Sequence, residues 1–209
     1  MIQERFLWVT RKERLHKVGT FFPDSYTIHE TQNFKATAQN ERDNLQNNPG
    51  TTSFHSVVDH KEVIRCVPFT TGCYHAWTTA GNNSSLSLEI CSSSLDKHFT
   101  QTWNNAVEVV AHDLKSLKWG VDRLRQHYHW SGKDCPKLIR SKGLWDKFKK
   151  DVEVRMNEME KEKKQKTDFE TAHKWVMENG ISDGTNPKEP VTREQVWSML
   201  YRAAQKGVM

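Results

Sequence analysis

Residues 99–119 read FTQTWNNAVEVVAHDLKSLKW, and this stretch carries the clearest structural signal in the chain. Its apolar residues recur at intervals of three and four, a pattern typical of an amphipathic helix. The recurring residues are Phe99, Trp103, Ala106, Val107, Val110, Ala111, Leu114 and Leu117. Gly120 follows directly and is expected to end the helix. We therefore predict one long helix that packs a single face against a sheet.

The strands of that sheet are predicted upstream of the helix. Short runs of alternating or β-branched residues, bounded by Pro, Asp, Asn and Gly, cover 26–30, 53–59, 63–67 and 86–91. A weaker helical stretch covers 36–45. This mixture indicates an α/β fold in which a central mixed β-sheet is flanked by helices.

The C-terminal part of the chain has a different composition. Residues 151–167 contain five acidic and five basic residues and few apolar ones, which predicts an exposed helical connector. Two helices are expected after it, over 169–179 and 193–204. The second helix is expected to begin with a capping box formed by Thr192 and Gln195.

These signals divide the chain into three parts: a domain over 1–152, a charged linker over 153–167 and a small α-helical module over 168–209. A module of about 40 residues buries little apolar surface by itself. We therefore expect it to dock onto another element or to pair with a second copy in a homo-oligomer.

The charge of the 209-residue chain is +5, and its excess of basic groups lies in the first domain. Residues 1–150 carry 21 basic and 15 acidic side chains, which suits an anionic partner. The basic residues form no stripe, so a nucleic-acid-binding protein is the less favoured alternative and no nucleic acid is expected as a partner. Charges interrupt residues 1–19, and no apolar run approaches the roughly 20 residues of a membrane span. Neither a signal peptide nor a membrane partner is therefore expected.

The residues with the strongest chemical signal lie in QHYHWSGKDCP, residues 126–136. Imidazole and thiolate are the preferred ligands of zinc, and Ser131-Gly132 would turn the chain so that His127 and Cys135 converge. His29, on a predicted strand, is a candidate for the third ligand. Two histidines and one cysteine leave a fourth position open, as in catalytic zinc sites.

Five short motifs follow one another in an order that matches a known family. They are YTIHET at 26–31, SFHSVVD at 53–59, HA at 75–76, N-x5-EIC from Asn83 and H-x5-K-x-CP from His127. With these motifs the chain resembles the zinc-dependent N-acetylmuramoyl-L-alanine amidases of the phage-lysin and autolysin type, which are related to the peptidoglycan recognition proteins. The resemblance covers about residues 20–150.

The resemblance implies a role for each matching residue. His29, His127 and Cys135 would bind Zn2+, Glu89 would handle protons, and Lys133 would help hold the developing oxyanion. The implied reaction is hydrolysis of the amide bond between N-acetylmuramic acid and L-alanine in bacterial peptidoglycan. A non-catalytic peptidoglycan-binding protein of the same fold is the alternative, and Cys135 disfavours it because receptors without activity typically lack this cysteine.

The sequence departs from the family pattern at three positions. Phe54 stands where many members have Tyr, and Trp77 stands where members often have Gly after His-Ala, so Trp77 would reshape the wall of the substrate groove. His129 stands where Asp is common, and on a strand it would point the same way as His127, so either histidine is a candidate ligand; the spacing to Lys133 and Cys135 favours His127. His55 and His75 either line the groove with Phe54 and Trp77 or form hydrogen bonds within the sheet.

The C-terminal module resembles a single surface-layer-homology unit through Trp175, the run GISDG at 180–184, Pro190 and the run TRE at 192–194. This resemblance implies binding to secondary cell-wall polymers. Cys135 also points to the lytic branch of the amidases. Together with the expected lack of a signal peptide, it favours an endolysin made in the bacterial host cytoplasm that acts on the cell wall after release.

Overall fold

A six-stranded mixed sheet forms the centre of the first part of the chain, with strand order β1-β5-β4-β7-β3-β8. The computed structural model describes residues 2–16, 21–33, 36–92 and 96–207. The strands are β1 (Gln3–Phe6), β2 (Leu15–His16), β3 (Ser25–Glu30), β4 (Ser56–Val58), β5 (Glu62–Arg65), β6 (Gly72–Cys73), β7 (Ser85–Ile90) and β8 (Leu124–Gln126). The helices are α1 (Ala38–Asn47), α2 (Thr79–Ser84), α3 (Phe99–Leu117), α4 (His127–Ser131), α5 (Lys137–Ser141), α6 (Trp145–Glu178) and α7 (Arg193–Gln205).

The sheet is mixed because β4 and β5 pair antiparallel while the other neighbours pair parallel. The predicted α/β fold is therefore confirmed. The predicted runs 53–59 and 63–67 are shorter as strands than expected, and β1 and β8 were not predicted. These two strands lie at the edges of the six-stranded sheet, where exposed and charged residues hide the alternating pattern. The two-residue strands β2 and β6, which pair with each other in a separate sheet, also lie outside the predicted runs.

Helices α1 and α3 cover opposite faces of the sheet. Val57 belongs to the apolar cluster that includes Ala38 and Leu45 of α1. On the other face Arg65 forms a bidentate pair with Asp113 of α3, with nitrogen–oxygen distances of 2.7 and 2.8 Å. Because side chains alternate along a strand, residues that pair in register with Val57 share the α1 face.

Helix α3 has its predicted position but not its predicted end. The residue in the left-handed conformation is Lys118, with φ of 59°, and the backbone N–H of Trp119 closes the last turn on the carbonyl of Leu114. Gly120 is extended instead, with φ of −93°. The prediction of Gly120 as the helix stop is therefore wrong, because a lysine takes the left-handed position for which glycine is the usual signal.

The chain divides into two compact units, residues 1–156 and 157–209. The predicted connector is helical, but it is continuous with the helix expected over 169–179, so a single helix, α6, replaces a linker followed by a helix. Its charged residues are good helix formers and form ion pairs at i,i+4 spacing, such as Lys166–Glu170. In the second unit Thr192 and Gln195 form the predicted capping box of α7. Within the described ranges, no helix is long and apolar enough to cross a membrane.

Candidate metal centre and active site

Three buried side chains converge at the carboxyl end of β3, on the face of the sheet that α1 covers. His29 is the penultimate residue of β3, His127 follows β8 at the start of α4, and Cys135 lies in the loop after α4. One ligand atom from each of these residues lies within 4.8 Å of those of the other two. The parallel pairing of β3 with β8 explains this convergence, because the ends of parallel neighbours meet at one edge of the sheet.

His75 determines which nitrogen of His29 faces the cluster. The Nε2 atom of His75 lies 3.0 Å from the carbonyl oxygen of Ser85, so it must carry a proton. Its Nδ1 is then an acceptor, and it lies 3.1 Å from Nε2 of His29, which must donate. His29 therefore keeps an unprotonated Nδ1, and this atom lies 3.8 Å from the sulfur of Cys135.

The donor set fits a zinc ion. Neither ring nitrogen of the buried His127 has a hydrogen-bond partner among the described residues. Orphaned buried nitrogens are costly unless a ligand satisfies them. Two imidazoles and a thiol, all buried, are the donor types that Zn2+ prefers.

The surroundings of the cluster favour neutral imidazoles. Burial lowers the pKa of His127 to about 4, and Lys133 adds to this effect. Burial, together with the nearby His75, His127 and Lys133, also holds the pKa of His29 well below its usual value. Burial raises the pKa of the Cys135 thiol to about 12, and Glu89 contributes to the increase. A bound cation would oppose this last shift because it stabilises the thiolate.

The side chains of Glu89 and Lys133 line the same cavity as the cluster. Glu89 pairs in register with His29, and its Oε1 lies 4.0 Å from Nδ1 of that histidine. Burial raises the pKa of Glu89 to about 8; Glu41 and Glu30 add to the increase and Lys133 opposes it. The Nζ atom of Lys133 lies over the ring of Trp77, 4.4 Å from the ring centroid. The cavity, of about 300 Å³, thus holds a proton-binding carboxyl group and a cation beside the donor set.

This arrangement has counterparts in known proteins. The family described as N-acetylmuramoyl-L-alanine amidase (Amidase_2) matches residues 20–138. The chain belongs to this amidase family. It is 38% identical to the N-acetylmuramoyl-L-alanine amidase CwlA of Bacillus subtilis (strain 168) over 137 residues, which are 64% of this chain and 50% of CwlA. It is 40% identical to the amidase XlyB of the same strain over 135 residues, which are 63% of this chain and 42% of XlyB.

A solved structure of PlyL matches the fold of this amidase-family chain with a TM-score of 0.67 and 30% sequence identity. The match covers 74% of this chain and 98% of that one. The chain spans about half the length, or less, of the curated relatives CwlA and XlyB. The similarity therefore concerns only part of those relatives.

The structure separates the two candidate ligands His127 and His129. Residues 127–131 form a helix and not a strand, so side chains two residues apart point in different directions. His127 is buried in the cluster, whereas His129 is exposed and contacts the edge of Trp130. The interpretation that the two histidines share a strand face is wrong, and the structure brings His127 to the cluster.

The four predicted substrate-binding residues of the amidase domain do not all reach the cavity. Phe54, His75 and Trp77 line it. His55 is fully buried, with Nδ1 2.9 Å from Oγ of Ser87 and Nε2 2.9 Å from the carbonyl oxygen of Thr71. His55 is therefore not among the residues that line the cavity, and of its two predicted alternatives the structure shows the hydrogen bonds within the fold.

Glu30 is a residue of the amidase site that sequence reasoning assigned no role. Its Oε1 accepts a hydrogen bond from Ser92, at 2.8 Å. Its Oε2 accepts one from the backbone N–H of Leu138, at 2.6 Å. Glu30 thereby ties the end of the strand that carries His29 to the segment just after Cys135. In the sequence, the signal for this role is a carboxylate that directly follows a candidate ligand at the end of a predicted strand.

Proposed function

We propose that the protein is a zinc-dependent N-acetylmuramoyl-L-alanine amidase that hydrolyses the bond between the lactyl group of N-acetylmuramic acid and L-alanine in bacterial peptidoglycan. The observation that carries the proposal is the buried cluster of His29, His127 and Cys135, which shares one cavity with Glu89 and Lys133. Membership in the amidase family supports the same reaction.

Zinc held by His29, His127 and Cys135 would polarise the scissile carbonyl and bring the pKa of water from 15.7 to about 7. Glu89 then has two tasks. It takes a proton from the attacking water and delivers it to the leaving amine of alanine. Burial raises the pKa of Glu89 to about 8, and a cation bound beside it would lower this value, so that the carboxylate needed to take the first proton is populated near neutral pH.

Lys133 stabilises the negative charge that develops on the carbonyl oxygen. Its side chain lines the cavity, and Lys133 lies two residues from Cys135 in the chain. A cation placed before the reaction starts stabilises the transition state more than the ground state, because the oxyanion forms only on attack.

The C-terminal unit is proposed to bind secondary cell-wall polymers or to join copies of the chain in a homo-oligomer. It carries a polar cavity of about 990 Å³ between the loop after α6 and helix α7, lined by Asp183 and Arg202 among others. It also exposes Trp197 and Tyr201. Exposed large apolar side chains of this kind are typical of surfaces that bind a partner. The proposed site of action is the cell wall, reached by an endolysin made in the host cytoplasm.

The test of the proposed function is product chemistry on purified peptidoglycan. We expect new amino groups of alanine to appear without new reducing sugars, to stop after treatment with a zinc chelator and to return when zinc is added. New reducing sugars would indicate a glycosidase instead. Binding to the wall with no release of either product would place the protein among the non-catalytic peptidoglycan-binding proteins.

A further inference from the structure

Trp77 has a backbone conformation that is unfavourable for its side chain. Its φ is 58°, in the left-handed region that bulky residues rarely adopt. The backbone on either side is anchored: the side-chain oxygen of Asn82 accepts hydrogen bonds from the N–H groups of His75 and Ala76, and Thr78 caps α2. The turn therefore requires a left-handed residue at this position, and Gly or Asn would meet that requirement at lower cost.

The side chain of Trp77 contributes little to the fold. The residue is 66% exposed, which leaves most of a large apolar ring in water. Its ring contacts among the described residues are with the site: Lys133 lies over the ring, and the rings of His127 and Trp77 meet edge to face at a centroid distance of 5.6 Å. Backbone strain and apolar exposure at one residue, at the rim of a catalytic cavity, indicate a binding role.

The position of Lys133 and the indole face of Trp77 indicate which part of the substrate Trp77 would contact. Under the proposed function, on which this inference rests, the scissile carbonyl lies beside Lys133. The pyranose ring of N-acetylmuramic acid is separated from that carbonyl by one carbon and one ether oxygen. The C–H groups on a pyranose face are weakly positive, and they match the negative face of an indole. The stem peptide offers a methyl group and carboxylates, which an indole face does not recognise specifically.

We propose that Trp77 is a specificity-determining residue that stacks on the muramyl sugar ring and thereby selects substrates that carry the glycan. The backbone of Trp77 adopts an unfavourable conformation because the site needs a flat apolar side chain beside Lys133. The lactyl group then spans the short distance from the stacked ring to the metal-binding cluster.

The test compares two ligands that differ only in the sugar: an N-acetylmuramoyl-dipeptide and the matching lactoyl-dipeptide. Binding is measured by calorimetry on the zinc-stripped full chain, so the result does not depend on turnover. We expect Trp77→Leu and Trp77→Gly to weaken binding of the muramoyl ligand roughly tenfold and to leave the lactoyl ligand unaffected. Trp77→Phe should retain most of the affinity. Trp8→Leu, which removes a partly exposed indole elsewhere, is the matched control and should change neither ligand.

Equal losses for both ligands would overturn the proposal, because they would mean that Trp77 acts only through Lys133. Unchanged binding of both ligands would also overturn it. Trp77→Gly should not lower the unfolding temperature, and a marked decrease would show that the side chain serves the fold. Failure of the zinc-loaded parent chain to release alanine amines would contradict the proposed function separately from this binding result.

Discussion

At the scale of single residues, the active site depends on side chains that do not themselves belong to the donor set. His75 fixes the tautomer of His29 through a hydrogen bond on each side of its ring. Glu30 holds the segment that follows Cys135 against the end of β3. Each of these contacts orients a ligand before any ion binds, which reduces the free-energy cost of assembling the site.

Cys135→Ala is expected to abolish both bound zinc and peptidoglycan hydrolysis, because it removes one of three buried donors. Zinc per chain, measured by atomic emission on purified protein, is the direct readout. His129→Ala is the matched control, since His129 is exposed, and it should leave the zinc stoichiometry unchanged. Loss of zinc from the His129 variant would contradict the ligand assignment.

Glu30→Ala is expected to weaken zinc binding about 10- to 100-fold, because the segment after Cys135 loses its anchor on β3. Glu30→Gln should restore most of the affinity, since an amide oxygen still accepts from Leu138 and the amide nitrogen donates to Ser92. Zinc affinity is measured by competition with a chelator. The same loss in both variants would show that the charge of Glu30, and not its hydrogen bonds, matters.

At the scale of elements, helix α6 has two different parts. Near its start Phe148 and Val152 are fully buried, and Phe148 meets the ring of Trp103 edge-on at 5.2 Å. Further along the helix most residues are exposed and charged. The first turns of α6 therefore belong to the amidase domain, although the helix itself continues without a break across the change in composition near residue 152.

Phe148→Ala is expected to lower the free energy of unfolding of the amidase domain by about 3–5 kcal/mol, because it opens a cavity in a packed core. Phe169→Ala, on the exposed part of the same helix, should change it by less than about 0.5 kcal/mol. Urea unfolding followed by circular dichroism measures both. Similar effects of the two substitutions would contradict the division of α6.

Lys118→Gly is expected to stabilise the protein by about 0.5–1 kcal/mol, because glycine adopts the left-handed conformation at the end of α3 without strain. Ser116→Gly, two residues earlier within the exposed part of the helix, should destabilise it by about 0.5 kcal/mol. Thermal unfolding of the two variants is the check. A stabilising effect of both glycines would rule out the conformational explanation.

At the scale of the whole molecule, buried histidines make the stability of the fold depend on pH. Burial lowers the pKa of His55 to about 3 and that of His75 to about 3. Both groups take up a proton near pH 6.5 when the chain is unfolded, but they stay neutral in the folded state. Between pH 6.5 and 3 the unfolded state therefore binds more protons, and acidification favours it.

The free energy of unfolding should be insensitive to these groups above about pH 6.5. Below that pH, His55 should lower it by about 1.4 kcal/mol for each pH unit, down to its folded pKa. His55→Gln keeps a donor and an acceptor but cannot titrate, so its stability should fall less steeply between pH 6 and 4 in parallel urea titrations. Identical slopes for the parent chain and the variant would contradict a neutral His55 in the folded state.

The sequence by itself determined the α/β class, the long helix α3, the donor types of the cluster and membership in a family of amidases. These properties depend on local periodicity and on short motifs, which residues near one another in the chain define. Only the tertiary structure decided between His127 and His129 and placed His55 outside the cavity. It also showed the hydrogen bonds of Glu30 and the strained backbone of Trp77. The reason is physical: where a side chain points depends on the element in which it lies, and what it meets there depends on strands and loops far away in the chain.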